Sequence, residues 1–372
     1  MRPEVKGPEI KGWCPGALRP MMSGDGYLVR VRPPLGRLSA RQVAGVAALS
    51  SQFGSGLIDL SARANLQMRG VSQAALDDLQ DGLRDLGLLD VDAAAEARRN
   101  LVVAPFWREG DDTHRIATAL QAALVGAQDL ALPGKFGFAV DCGDAPMLTD
   151  ISADIRIERG RDGLICRADG AAQGCAVTVE NAVAVALDMA RWFQGSPEKR
   201  MARHLRTVDL PQRFSGTEAL PQGAPETTGL VGFAFGRVHA QVLARLGAVR
   251  LTPWRMLLVE GGVVPNHPDM LRPDDPVLRV SACPGAPDCA QGLVTTRDVA
   301  RALAGELPAG SGLHVSGCAK GCAHPRAQEF TLTGQADGRF ALIRNGCAGD
   351  APVRSGIDPR ALSVAPKDLF ES

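Results

Sequence analysis

The chain has 372 residues, which is enough for two or three domains that each have a core of their own. Lysine plus arginine equals aspartate plus glutamate at 41 each, so the overall charge points to neither a nucleic-acid partner nor a membrane surface. The N-terminal residues do not have the apolar core of a signal peptide, and the longest apolar stretch, 182–189, is too short to cross a bilayer. Together with nine cysteines, these features predict a cytoplasmic protein whose thiols serve metal or redox chemistry.

The first elements are predicted by alternation and by a helix-capping pattern. Residues 27–32 alternate as a strand. Ser39, with Gln42 three residues later, resembles a capping box at the start of a helix. Residues 57–68 then alternate again, which predicts a second strand.

This unit recurs in the second half of the chain. Residues 229–238 resemble 26–38, since each is a strand that ends in Gly-Arg and an aliphatic residue. Residues 251–261 resemble 60–70, with leucine and glycine at the same two ends, and the helical insert between the strands is shorter in the second copy. The repeat predicts two strand–helix–strand units that pair into one pseudo-symmetric sheet domain.

Each unit is followed by a longer segment with α/β character. In the first, 101–104 and 136–140 are predicted strands, 177–193 is a predicted helix, and the Pro-, Gly- and Arg-rich stretch 194–228 is a predicted exposed connection. In the second, a helix at 296–304 is predicted between two pairs of cysteines.

Residues 60–70 carry a comb of polar side chains. On a single strand Arg63, Asn65, Gln67 and Arg69 would all project from one face. A solvated strand face would have the same pattern. The matching positions of the second copy are mostly apolar, which favours a polyanion site in the first copy only; they are Trp254, Met256, Leu258 and Glu260.

The cysteines are the most informative residues. Cys283 and Cys289 form a C-x5-C pair and Cys318 and Cys322 a C-x3-C pair that could share one helical face, all among Gly, Pro and Ala. Four thiolates among small residues favour a [4Fe–4S] cluster, while a zinc site, which usually has shorter gaps, and a set of buried thiols are the alternatives. The remaining cysteines are expected to be small buried hydrophobic residues, and they are Cys14, Cys142, Cys166, Cys175 and Cys347.

With these motifs, the chain resembles the sirohaem-dependent nitrite and sulfite reductase superfamily. The resemblance implies an α+β, sulfite-reductase-like fold with two ferredoxin-like half-domains, 1–73 and 221–276, that pair pseudo-symmetrically. Two larger α/β segments, 74–220 and 277–372, complete it, the second carrying a [4Fe–4S] cluster on the four paired cysteines. It also implies a tetrapyrrole-binding set of residues, namely Arg63, Asn65, Gln67, Arg69, Arg99, Asn100 and Lys135.

The sequence departs from the reductases where they have Lys-Phe-Lys, because Gly137 replaces the second lysine. Through residues 11–33 in particular, the chain is similar to the precorrin-3B synthases of the aerobic cobalamin pathway. That family is a group of monooxygenases that convert precorrin-3A to precorrin-3B with dioxygen, by hydroxylation at C20 and formation of a γ-lactone. The resemblance implies a [4Fe–4S] cluster, a mononuclear non-haem iron and an external electron donor, with NADH as a candidate source of electrons.

Three functions remain open from the sequence. They are a precorrin-3B synthase, a sirohaem-dependent nitrite or sulfite reductase, and an electron-transfer subunit that has a cluster but no substrate site. His267 and His324 are candidate iron ligands, although a structural role is the simpler interpretation of each. The sequence assigns neither the iron ligands nor the oligomeric state.

Overall fold

The first part of the chain forms the first copy of the repeat. The computed structural model describes residues 15–364 and 366–370. The elements of this part are β1 (Met21–Ser23), β2 (Gly26–Val31), β3 (Arg37–Leu38), α1 (Ala40–Phe53), β4 (Leu57–Leu60), β5 (Leu66–Val71) and α2 (Leu76–Asp85). The Ser39 hydroxyl accepts the Gln42 N–H, and the Gln42 side chain accepts the Ser39 N–H at 2.9 Å. The predicted capping box is confirmed.

The stretch predicted as one strand at 57–68 is a hairpin, so that prediction is wrong. Strand β4 ends at Leu60 and β5 begins at Leu66, with a turn between them. Within the turn Ala64 has a φ of 51°, a left-handed conformation that interrupts the extended chain. Polar and apolar residues continue to alternate through this turn without a Gly or Pro to mark it, so the pattern alone could not locate it.

The second part is a mixed sheet covered by helices. Its elements are α3 (Ala93–Arg98), β6 (Leu101–Val103), α4 (Asp112–Gly126), β7 (Phe138–Asp141), β8 (Ile155–Gly160), β9 (Gly163–Ala168), β10 (Gln173–Ala176), α5 (Ala182–Phe193), α6 (Met201–His204) and β11 (Thr217–Glu218). The strand order is β11-β10-β9-β8-β7-β6, and β6, β7 and β8 are parallel. The stretch 194–228 is not simply an exposed connection, because Met201 and Phe214 are buried in the core of this part.

The second copy of the repeat exchanges a strand with the first. Its elements are β12 (Leu230–Gly232), β13 (Arg237–His239), α7 (Ala240–Leu243), β14 (Val249–Leu251) and β15 (Met256–Val259). Strand β13 pairs with β4 in the sheet β1-β2-β5-β4-β13, while β3 pairs with β14 in the sheet β12-β15-β14-β3. The predicted pseudo-symmetric pairing is therefore present, but as two sheets that share one apolar core.

The same turn begins the exchanged strand in both copies. Leu35 and Phe235 have φ values of 52° and 60°, and each is followed by a glycine that also has positive φ. These left-handed residues turn the chain sharply away from its own sheet. As a result, the arginine after each turn enters the sheet of the other copy.

The last part places both cysteine pairs at one sheet edge. Its elements are β16 (Val280–Ala282), α8 (Arg297–Ala304), β17 (Leu313–Ser316), β18 (Gln328–Gly334), β19 (Phe340–Gly346), β20 (Arg354–Ile357) and α9 (Pro359–Val364). Strands β16 and β17 are adjacent and parallel, so the loops that follow them leave the sheet side by side. Cys283 follows β16 and Cys318 follows β17.

Cys318 and Cys322 do not lie on a helix. The residues around them form bends and turns, so the prediction of a shared helical face is wrong. Their spacing of four fits helical geometry, but the glycines at 317 and 321 favour turns. Across the described ranges, none of the helices has the length and apolar character needed to cross a bilayer.

Candidate substrate site

A basic cavity lies between the first copy of the repeat and the two cysteine loops. Its volume is about 400 Å³. Six basic residues and one carboxylate, Asp59, line it; the basic residues are Arg30, Arg63, Arg69, Lys135, Arg255 and Arg297. Cys283 and Cys322 form part of its wall. This excess of positive charge suits a ligand with several carboxylates.

Asp59 is the centre of an ion-pair network at the base of the cavity. It accepts from Arg237 Nε at 2.6 Å and from Arg69 Nη1 at 3.3 Å. Arg69 also donates to both carboxylate oxygens of Asp25, at 2.8 Å each. Burial alone would raise the pKa of Asp59, but the hydrogen bond from Arg237 and the charge of Arg69 lower it overall. Asp59 is therefore ionised and holds two of these arginines in place.

Two other arginines of the cavity donate hydrogen bonds to uncharged oxygen atoms. Arg30 donates from Nε and Nη2 to Gln67 Oε1, at 3.2 and 2.6 Å, across the β2–β5 pair. Arg255 donates from Nη2 to the carbonyl oxygen of Ala323 at 2.7 Å, and burial lowers its pKa. The bond to a carbonyl oxygen orients the Arg255 guanidinium group without cancelling its charge.

Arg297 begins helix α8 and carries a charge that is poorly compensated. Its Nε atom is buried and has no hydrogen-bond partner within residues 15–364 and 366–370. Burial lowers its pKa to about 10, and the charges of Arg237 and Arg69 act in the same direction while Asp59 opposes them. Because burial of this positive group in the cavity wall is unfavourable, Arg297 is a candidate for pairing with an anionic ligand.

A second pocket, where β3 of the first copy meets β14 of the second, has a different electrostatic character. It has a volume of about 550 Å³ and is lined by Arg37, Arg250 and Glu260, among others. Glu260 accepts two bonds of 2.8 Å from Arg37 and one of 2.8 Å from Arg250, and these pairs lower its pKa. Arg250 also lies 3.8 Å above the Trp107 ring. Both arginines are thus paired with a carboxylate of the fold.

The structure brings part of the predicted comb into the basic cavity. Arg63, Gln67 and Arg69 line it, although Arg63 belongs to the turn before β5 and not to the strand. Asn65 is 5% exposed and is not among the lining residues. Its backbone N–H donates to the Ser61 hydroxyl at 3.1 Å, so Asn65 helps to form the turn.

The other predicted basic positions separate into two groups. Lys135 lines the cavity as predicted. Arg99 does not: it donates two bonds of 2.8 Å to Asp90 and one of 2.7 Å to the Arg32 carbonyl. Asn100 donates to the Phe136 carbonyl at 2.7 Å and is also absent from the cavity lining. The side chains of Arg99 and Asn100 are thus hydrogen-bonded to other residues of the fold. The predicted convergence of Arg99 with Arg63 and Lys135 is not observed.

The loops that carry the paired cysteines are held together by short polar contacts. The Gly317 N–H donates to Cys283 Sγ at 3.1 Å, and the Ser316 and Thr296 hydroxyls donate to the Cys318 and Cys283 carbonyls at 2.7 and 2.5 Å. A Cβ added to Gly317 would lie 3.4 Å from Cys283 Sγ and 3.1 Å from the neighbouring loop. Glycine at this position therefore allows the two loops to approach each other.

The four paired cysteines are close enough to affect one another electrostatically. Burial raises the pKa of Cys322; Lys320 lowers it, while Cys318, Cys283 and Cys289 raise it further. Across the described ranges, no three His, Cys, Asp or Glu side chains are placed so that they could hold a single metal ion. Cys283 and Cys322 lie in the wall of the same cavity, so the two cysteine loops meet there.

The scattered cysteines only partly match their predicted burial. Cys142 and Cys166 are buried, and burial raises the pKa of Cys142 to about 12 and that of Cys166 well above its usual value. Cys175 and Cys347 are half-buried, so the prediction of full burial is wrong for both. Cys14 lies outside the described residues.

The two candidate iron ligands among the histidines lie in different settings. His324 lies beside the buried His314, with 5.9 Å between the ring centroids, and burial lowers its pKa. His267 lies 3.9 Å from Asp269 and accepts the Asp269 N–H at 3.2 Å. Neither lines the basic cavity.

Sequence reasoning missed Arg30, Arg255 and Arg297. Arg30 faces Gln67 across the β2–β5 pair, so its alternation with the comb was a usable signal. Arg255 and Arg297 come from the second half of the chain and reach the cavity through tertiary packing, for which local sequence gives no signal.

Comparisons with known proteins agree on the superfamily. Residues 19–86 match the profile of the nitrite/sulfite reductase ferredoxin-like half domain. A sulfite reductase [NADPH] hemoprotein beta-component from Myxococcus xanthus is 31% identical over a region covering 42% of this chain and 31% of that protein. The structure of the Mycobacterium tuberculosis NirA protein superposes with a TM-score of 0.67 at 17% identity, covering 92% of this chain and 79% of that one. The fold is therefore that of the nitrite and sulfite reductases.

A longer match identifies the family within that superfamily. A precorrin-3B synthase from Sinorhizobium sp. is 31% identical over a region that covers 92% of this chain and 84% of that protein. The chain belongs to the precorrin-3B synthase family, whose members are enzymes of the nitrite and sulfite reductase superfamily.

Proposed function

We propose that this protein is an oxygen-dependent monooxygenase that converts precorrin-3A to precorrin-3B, by hydroxylation at C20 and formation of a γ-lactone. The observation that carries the proposal is the cavity of about 400 Å³ with six basic residues and one carboxylate, which has two of the paired cysteines in its wall. Precorrin-3A is a reduced tetrapyrrole with acetate and propionate side chains. Such a ligand would pair with several of these cations at once.

The lining residues would bind and orient the substrate. Arg63, Arg255 and Arg297 offer planar guanidinium groups that bind carboxylates bidentately, while Lys135 provides a compact point charge. Asp59 neutralises Arg69 and Arg237 and so fixes the base of the cavity. Several simultaneous contacts would hold the macrocycle in one orientation, with one edge towards the cysteine loops.

Cys283, Cys289, Cys318 and Cys322 would hold a [4Fe–4S] cluster. Each thiolate of such a cluster binds a different iron, and the two loops that carry the four thiols meet at the wall of the cavity. The Gly317 N–H bond to Cys283 Sγ is of the kind that tunes cluster potentials. When bound, the cluster would supply one-electron transfer. An external donor, with NADH as the proposed source, would reduce it.

The described residues do not fit a mononuclear non-haem iron site. Such iron usually needs two histidines and a carboxylate, and no group of three His, Cys, Asp or Glu side chains that could hold one ion is present in the part of the chain that the structure covers. His324 lies beside the His314 ring, and His267 lies 3.9 Å from an Asp269 carboxylate oxygen.

Local packing argues against the alternative of a sirohaem-dependent reductase. A Cβ added to Gly137 would lie 2.7 Å from Asn100 Nδ2, which is held in place by its bond to the Phe136 carbonyl. A lysine at this position would therefore displace a buried polar group. The site is built without the second lysine that the resemblance to the reductases would require.

The proposal is tested by supplying precorrin-3A and a reductant to the anaerobically purified protein and then admitting air. We expect loss of precorrin-3A and a product with the mass of precorrin-3B. We also expect the absorption spectrum of the resting protein to show a broad cluster band without the Soret-type and red bands of sirohaem. Bound sirohaem with turnover of sulfite or nitrite would contradict the proposal.

A further inference from the structure

Arg255 connects the basic cavity to one of the cysteine loops. Its side chain lines the cavity, and its Nη2 atom donates to the carbonyl oxygen of Ala323 at 2.7 Å. Ala323 directly follows Cys322 in the sequence and also lines the cavity. The Arg255 guanidinium group thus faces the cavity and also binds the backbone next to Cys322.

The backbone of Arg255 has an unusual conformation, which can be compared with the matching position in the first copy of the repeat. Arg255 has a φ of 59°, in the left-handed region that long side chains seldom adopt. The matching residue in the first copy, Ala64, has a φ of 51°. The same turn therefore forms with alanine, so the turn itself does not need an arginine. In the second copy the residue with this strained backbone is Arg255, whose side chain reaches the basic cavity beside the first copy.

The charge of Arg255 has no carboxylate partner at ion-pair distance among the residues that the structure describes. The ion pairs around the cavity join Asp59 to Arg69 and Arg237, and none includes Arg255. Because a guanidinium group has five N–H donors, the bond to Ala323 leaves donors to bind an anion. Burial also lowers the pKa of this group, so an incoming carboxylate would relieve a desolvated charge.

We propose that Arg255 couples occupancy of the cavity by a carboxylated tetrapyrrole to the stability of the loop that carries Cys318 and Cys322. This inference rests on the proposed function. A substrate carboxylate that pairs with the guanidinium group fixes the side chain, and the fixed side chain holds the Ala323 carbonyl and thereby the loop. Bound substrate then slows release of iron from the cluster. By linkage, the free energy by which bound substrate stabilises the loop also favours substrate binding when the loop is intact.

The test measures iron release from the holoprotein under anaerobic conditions, where no turnover occurs. A ferrous chelator is added with and without saturating precorrin-3A, and the ratio of the two rates is the protection factor. For the unaltered protein we expect protection of about five-fold or more, the usual lower range of coupling between two sites. In Arg255→Ala the protection factor should fall close to one even at substrate concentrations that saturate the variant.

Arg30→Ala is the matched control. Arg30 lines the same cavity and donates to Gln67, its neighbour on the adjacent strand of the first copy. Its loss should weaken precorrin-3A binding while leaving the protection factor unchanged at saturation. Should Arg255→Ala fail to fold, Arg255→Lys serves instead. Lysine keeps the charge but lacks the fork that contacts carboxylate and carbonyl together, so protection should again fall.

The outcomes separate this inference from the function on which it rests. Full protection in a folded Arg255 variant, or no protection in the unaltered protein when precorrin-3A is bound, would overturn the coupling alone. Failure of the unaltered protein to bind precorrin-3A or to hold a cluster would overturn the proposed function and the coupling with it.

Discussion

Replacing Arg297 with methionine should stabilise the free protein and weaken substrate binding. The guanidinium group has a buried Nε atom without a hydrogen-bond partner in the described part of the chain, and burial lowers its pKa from the usual range of arginine to about 10. The folded pKa is below the unfolded one but still far above neutral pH. Arg297 is therefore charged at pH 7 in both the folded and the unfolded state. At that pH the folded state is destabilised by the full free energy of burying the charge.

The size of the effect follows from that shift. At about 1.4 kcal/mol per pKa unit, the shift corresponds to at most about 3.5 kcal/mol. Partial solvent contact and the Phe235 ring, 6.0 Å from the guanidinium carbon, reduce this to about 1–2 kcal/mol. The melting temperature of Arg297→Met should therefore rise by a few degrees. Loss of a charge-assisted bond should cost about 1.5–3 kcal/mol in binding, a roughly ten- to hundred-fold weaker Kd.

Arg301→Met is the matched control, because Arg301 lies one turn later on α8 with its guanidinium carbon 5.9 Å from the same Phe235 ring. It does not line the basic cavity, so its replacement should change stability by less than about 0.5 kcal/mol and leave affinity unchanged. The assays are thermal melting of the free holoprotein and anaerobic titration with precorrin-3A. A lower melting temperature for Arg297→Met with unchanged affinity would show that Arg297 is structural, and would refute the reasoning.

Three further predictions follow from other parts of the molecule. Cys289→Ser should remove the brown colour and most of the iron, whereas Cys166→Ser, in the core of another sheet, should leave both nearly intact; equal loss in an iron assay would contradict the cluster assignment. Arg63→Glu places a carboxylate among substrate carboxylates and should weaken precorrin-3A binding by about 2 kcal/mol or more in a titration, with unchanged affinity as the contrary result. Burial raises the pKa of Asp141 to about 6 from 3.8, so its contribution to stability is present below about pH 4 and is lost as pH rises towards about 6. Asp141→Asn should flatten the melting temperature over that window, and an unchanged pH profile would count against this interpretation.

Local features of the fold could be predicted from the sequence because their causes are local. The capping box at Ser39 and Gln42 lies within four residues, and the structure confirms it. The repeat was visible because both copies keep the same Gly-Arg end of a strand. The strand exchange could not be predicted, because Arg237 pairs with Asp59, which is 178 residues away, and no local pattern specifies such a partner. The hairpin turn with Ala64 at positive φ also has no Gly or Pro signal.

The candidate site could be predicted only in part for the same reason. Arg63 and Lys135 line the cavity as the sequence suggested. Arg99 satisfies the same motif, but it forms an ion pair with Asp90, a partner that the sequence pattern does not reveal. Arg255 and Arg297 were missed because each reaches the cavity from the second half of the chain. A motif specifies a residue type at a position, whereas ion pairing and packing decide whether its charge faces a ligand.

The most direct test of the proposed function follows the oxygen atom. The holoprotein is incubated with precorrin-3A and a reductant under isotopically labelled dioxygen, and the product is analysed by mass spectrometry, with a parallel reaction in labelled water. An oxygen-dependent monooxygenase places one atom from dioxygen in the new hydroxyl group of precorrin-3B, and the other atom leaves as water. Label in that hydroxyl group from dioxygen and none from water is the predicted result. Label that comes from water, or product formed without dioxygen, would contradict it.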